Sequence, residues 1–169
     1  MTQATADRFH VVSPNPLDHV EQMAANNDWP YERMGDEEIS LAVPSSWTEY
    51  HLRFYWREDG QVLQVASVFD FRIPKAKRTS IYEALSLINE RLWVGHFEIW
   101  SEEDVVMYRH AALTDQRNGG FSPSFCELLT DTAVSECERY YPVFQFVIWA
   151  GKSPAESLEA AMLETMGEA

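Results

Sequence analysis

The chain has 169 residues, with 13 Lys+Arg against 27 Asp+Glu and a formal charge of −14. That length suits one domain with a sizeable core, and 46% hydrophobic with 13% aromatic content excludes wholesale disorder. No apolar run approaches the roughly 20 residues of a membrane-spanning helix, and the charge repels nucleic acid and anionic membrane.

The first ten residues, MTQATADRFH, lack the basic start and apolar stretch of a secretory signal. Residues 1–14 are expected to be a flexible N-terminus, with a single domain over 15–167. Asn15-Pro16-Leu17-Asp18 predicts a helix start, with Asn as N-cap and Pro in the first turn. Leu17, Val20 and Ala24 supply its apolar side, and Pro30 ends it.

The period then changes from helical to two. Ile39, Leu41 and Val43 alternate with polar or small neighbours, and Tyr50, Leu52, Phe54 and Trp56 alternate with His51, Arg53, Tyr55 and Arg57. Asp59-Gly60 predicts a tight hairpin turn with positive φ angles, returning through Leu63, Val65, Ser67, Phe69 and Phe71. Three antiparallel strands are therefore expected over 32–73. Ser80 and Glu83 predict a capping box for a helix with Ile81, Ala84, Leu85, Ile88 and Leu92 on one stripe, ending at Gly95. Leu87 points away from that stripe and offers a second apolar contact. Phe97 and Ile99, then Val106, Tyr108 and His110, predict a second hairpin around the acidic turn 101–104.

Asn118-Gly119-Gly120 reads as a loop before Ser122-Pro123, and Cys126, Leu129, Ala133, Cys137, Tyr140, Phe144 and Val147 form an unbroken helical stripe. Pro142 should kink or split that helix. The two cysteines stand eleven positions apart, roughly 16 Å along a helix, too far for a disulfide. Free thiols and the missing secretory signal both suggest the cytoplasm. Ser153-Pro154-Ala155-Glu156 is a second capping box, with Leu158 and Met162 on its apolar side. The expected fold is α+β: an antiparallel five-stranded sheet with helices on one face, in the order α-β-β-β-α-β-β-α-α.

Chemistry is sparse. No nucleophile elbow, phosphate-binding loop or kinase signature occurs. His96 and His110 could meet across the second hairpin beside Glu98, but cross-strand polar residues explain them without a metal. Gly119-Gly120 needs no anion to explain it, and the carboxylates from Glu98 to Asp104 read as a solvated turn with no compensating base. Arg72, Lys75, Lys77 and Arg78 concentrate basic charge, suited to an acidic segment of a partner or of the chain itself. Most of Trp47, Tyr50, Phe54, Trp56, Phe69, Phe71, Trp93, Trp100 and Trp149 are expected in the core. Tyr55 and Trp100 lie out of phase with their apolar neighbours, so either would mark a contact surface on an open sheet face. No catalytic residue, metal or cofactor is expected.

Residues 52–59 (LRFYWRED), 88–97 (INERLWVGHF) and 144–154 (FQFVIWAGKSP) resemble the YbjN-domain family, most closely its alphaproteobacterial branch. The resemblance spans roughly 15–167. It implies a fold similar to type III secretion chaperones, and a sensory-transduction regulator with no assigned catalytic residues. Chaperones of that fold are small acidic homodimers that hold extended polypeptides. The resulting expectation is a non-enzymatic cytoplasmic homodimer that binds a polypeptide partner, attracted to basic segments by its negative field. Tyr55, Leu87, Trp100, Arg72, Lys75, Lys77 and Arg78 are its candidate contacts, with no nucleic acid or membrane involved. The alternative is a small-molecule sensor or an unrecognised enzyme with a pocket between helices and sheet.

Overall fold

The computed structural model describes residues 15–114 and 119–166. Residues 1–14, expected to be a flexible N-terminus, lie outside the described residues, as does Asn118 of the expected glycine loop. Along the chain run α1 (Pro16–Asn26), β1 (Tyr31–Met34), β2 (Glu38–Pro44), β3 (Glu49–Arg57) and β4 (Val62–Arg72). They are followed by α2 (Arg78–Asn89), β5 (His96–Trp100), β6 (Val105–Leu113), α3 (Pro123–Ile148) and α4 (Pro154–Met166). The fold is α+β, and every strand pairing is antiparallel. The sheet has six strands rather than five, in the order β1-β2-β3-β4-β6-β5.

The additional strand is β1. Its sequence, Tyr-Glu-Arg-Met, has no apolar alternation because three of its four side chains are exposed. Backbone pairing with β2, from Tyr31 opposite Leu41 to Met34 opposite Glu38, makes it a strand. Arg33 then ties this edge to α1, reaching Asp18 at 3.3 Å and Glu21 at 3.4 Å.

The apolar residues of alternate strand positions face the helices, and one continuous cluster joins both layers. Helix α1 lies on β2 and β3, α3 on β4 and β6, and α2 beside β5, while α4 packs on α2 and α3. The stripe predicted for α3 is fully realised: Cys126, Ala133, Cys137, Tyr140, Phe144 and Val147 are all buried. Helix α3 runs unsplit through Pro142, whose ring is itself buried. Cys137 and Tyr140 before it and Phe144 and Val147 after it belong to the same core, so packing offsets the one lost backbone bond. Both cysteines are free, as their spacing predicts.

Local signals differ in how they fared. Asn15 caps α1 by accepting from the Leu17 amide at 2.9 Å. Ser153 and Glu156 form the reciprocal capping box, with the Ser153 amide donating to Glu156 Oε2 at 3.0 Å and the Glu156 amide donating to Ser153 Oγ at 3.3 Å. The Ser80 box does not form. A 3-10 turn over Lys75–Lys77 starts the helix at Arg78 instead, which places Ser80 inside its first turn. In the β3–β4 hairpin the left-handed residue is Gln61, at φ 50°, rather than Gly60. Arg57 pairs with Val62, so four residues make the loop and the two-residue turn is not used.

Helix α2 also stops short, at Asn89. The Asn89 carboxamide donates to the Phe97 carbonyl at 2.9 Å and accepts from the Phe97 amide at 2.8 Å, so it occupies both backbone groups of Phe97 in β5. Gly95 has φ 68°, and a Cβ there would lie 2.3 Å from the Tyr108 hydroxyl oxygen. The Tyr108 hydroxyl in turn donates to the Val94 carbonyl at 3.2 Å. The resulting loop presents Trp93 at 98% exposure, whereas Tyr50, Phe54, Trp56, Phe69 and Phe71 of the aromatic set are buried. Trp149 and Trp47, at 61% and 46% exposure, also lie outside the core. Each sits at the end of an element or in a loop, where period alone does not assign a face. No helix among the described residues is long and apolar enough to cross a membrane.

Candidate functional site

With all helices on one face, alternate residues of β3, β4, β6 and β5 are left on the other. Register then sets their neighbours. Arg53 stands opposite Ala66, Ala66 opposite Arg109, and Arg109 opposite His96, forming one row across four strands. Tyr55 stands opposite Gln64, Val68 opposite Met107, and Trp100 opposite Val105 in the flanking rows. The short Ala66 side chain between two arginines leaves an open depression of about 190 Å³, bordered also by Tyr55, Trp100 and Met107. A second depression of about 330 Å³ continues past Tyr55 and Gln64 to Arg57 and Val62. Arg53 and Arg109 are two strands apart, roughly 10 Å at the backbone.

The charges on this face are only partly matched. Arg109 donates to Glu98 at 3.0 Å, and His96 lies 3.4 Å from the same carboxylate. Arg53 is 3.9 Å from Glu38, an ion pair too long for a hydrogen bond. Arg57 has no carboxylate partner among the described residues.

The seven residues expected to mark a surface do not form one site. Tyr55 and Trp100 come together on the open face, bordering the same depression. Leu87 is half-buried against the core in the helical layer. Arg72 donates to Glu103 at 2.8 Å, and Arg78 pairs with Asp104 and donates to Tyr82 at 3.2 Å. Lys75 and Lys77 occupy the 3-10 turn between them. The 101–104 turn therefore has compensating bases after all, drawn from a distant part of the chain.

The paired histidines separate for a simple reason. His96 is opposite Arg109 on the open face, whereas His110 is opposite Val65 on the helical face. No group of three or more His, Cys, Asp or Glu among the described residues is placed to hold a metal. The thiols are poor nucleophiles: burial pushes Cys126 up to about 11 and Cys137 up to about 12. Between helices and sheet, rings pack closely around Phe69, whose centroid lies 5.4 Å from that of Tyr141 and 5.5 Å from that of Phe144.

Sequence reasoning missed Arg53, Arg57, Arg109, Ala66 and Met107 as parts of this face. The signal was present for two of them, since Arg53, Tyr55 and Arg57 share one phase of β3. Their meeting with Arg109 depends on β6, rather than β5, lying beside β4.

Residues 16–146 match the YbjN family, described as "Putative bacterial sensory transduction regulator", and the chain belongs to that family. A similar solved structure is the crystal structure of YbjN from E. coli, titled "a putative transcription regulator". It superposes with a TM-score of 0.52 at 9% identity, over 88% of this chain and 93% of that one, a likeness of fold alone. No curated protein matches the sequence.

Proposed function

We propose that this YbjN-family chain is a non-enzymatic, chaperone-like regulatory protein of the cytoplasm, a homodimer that takes a polypeptide partner on the open face of its sheet. The observation that carries this reading is the line of two shallow depressions bordered by Tyr55, Trp100, Met107 and three arginines. Tyr, Trp and Arg dominate the binding energy of protein interfaces, and a strip of side-chain-sized depressions suits an extended segment. Trp93, held outward on its stapled loop, supports the self-association part of the reading.

The test is co-purification from the native host at low and at high salt. A partner recovered with the parent and lost with Tyr55→Ala/Trp100→Ala supports the reading; recovery of no specific protein in either salt sinks it. Light scattering checks the dimer separately. A species of only 19.5 kDa at micromolar concentration discards it.

A further inference from the structure

We propose that the segment held on the open face is acidic and carries a large apolar side chain, opposite in sign to the partner that the net charge suggests. This rests on the reading that the open face binds polypeptide, and it specifies the chemistry of what binds. The two depressions are bordered by ten residues, of which three are arginines and none is Asp or Glu. In a chain with 27 acids and 13 Lys+Arg that composition is inverted.

Two scales of electrostatics compete here. The field of −14 acts over the whole molecule, but at physiological salt it is screened beyond about 8 Å. Contact pairing is decided within about 4 Å, where the depressions offer three guanidinium groups and the carboxylates within reach of them are Glu98 and Glu38. Arg57 is unpaired by any carboxylate among the described residues, Arg53 is held only loosely at 3.9 Å, and Arg109 shares Glu98 with His96. Each guanidinium keeps donors for a partner's carboxylate, in the planar fork that carboxylates match. Tyr55, Met107 and Trp100 provide the apolar seat beside them. A basic segment would meet the arginines at this face, and like charges brought together at an interface are strongly unfavourable.

The experiment titrates two synthetic peptides into the full-length, isotope-labelled protein. One alternates Glu with Leu and Phe; the other carries Lys in place of every Glu. The acidic peptide is expected to shift the amide signals of Tyr55, Ala66 and Arg109 and the Trp100 indole. Its affinity is expected to fall with added salt and by at least about tenfold in Arg57→Glu/Arg109→Glu. Arg57→Gln, at the exposed end of β3, provides a milder second variant with the same direction of effect. Equal or tighter binding of the Lys peptide at these signals overturns the inference and leaves the polypeptide reading standing. Shifts confined to the helical layer, or none with either peptide, remove both. Concentration-dependent shifts of the open face without peptide, lost in Tyr55→Ala, assign the face to a second copy and overturn the inference as well.

Discussion

The two faces of this sheet are written by alternate residues of the same strands, yet they have opposite physical character. On the helical face Phe69 meets Tyr50, Phe71, Phe97, Tyr141 and Phe144 at centroid distances from 5.4 to 6.2 Å. On the open face Arg53, Ala66 and Arg109 form a row with a gap at its middle. One face excludes water through close ring packing; the other leaves guanidinium groups and aromatic edges in contact with it. A period-2 sequence thus separates stability from recognition by a single residue of phase.

The largest effect that tests this division is expected from Phe97→Ala on the helical face. Phe97 touches Tyr108 at 5.2 Å and Tyr140 at 5.7 Å, so truncation should cost about 3–5 kcal/mol by urea unfolding. Gly95→Ala follows, at about 3 kcal/mol, because it combines a left-handed backbone with a Cβ driven into the Tyr108 ring. A loss below about 1 kcal/mol for either would break the claim that this face holds the fold.

A smaller, pH-dependent effect probes His110, the one strand histidine on the helical face among the described residues. Burial lowers His110 below its ordinary value, so the unfolded chain binds its proton more readily than the native one. The stabilising contribution is full above about pH 6.5 and is lost as pH falls through the lowered value. Burial raises Glu136, which acts in the opposite sense, favouring the native state as it takes up a proton. His110→Leu should therefore flatten the decline in urea midpoint between about pH 7 and 5. An unchanged slope would remove His110 as its cause. The smallest stability effect belongs to the open face: Tyr55→Ala should stay within about 1 kcal/mol of the parent in the same assay. A loss as large as that of Phe97→Ala would erase the contrast between the faces.

Much of the fold could be read from local pattern because its causes are local. The α3 stripe from Cys126 to Val147, the Asn15 cap and the Ser153–Glu156 box each involve residues within a few turns of one another. The failures share the opposite property. Strand β1 exists through backbone pairing with β2 and the reach of Arg33 to α1, neither of which leaves a hydrophobic period. Ser80 lost its capping role because the helix begins earlier, where Arg78 meets Asp104 from the turn between β5 and β6. For the candidate site, the outward phase of Tyr55 and Trp100 was visible as a break in apolar alternation. The arginines beside them were not singled out, since a charged residue on an exposed phase is ordinary until its neighbours are known.

By itself, then, the sequence determined which side of the helices and of β2 to β6 would be buried, because burial there follows a period carried by neighbouring residues. It determined the helix caps that close on themselves and the separation of the two thiols. Tertiary structure alone decided that β6 lies between β4 and β5, that Glu103 and Asp104 neutralise Arg72 and Arg78, and that Arg53 and Arg109 face each other across Ala66. Those are contacts between residues tens of positions apart, set by chain topology. Net charge is a sum and carries no positions, so it could not reveal that an acidic chain would gather arginines on its one uncovered face.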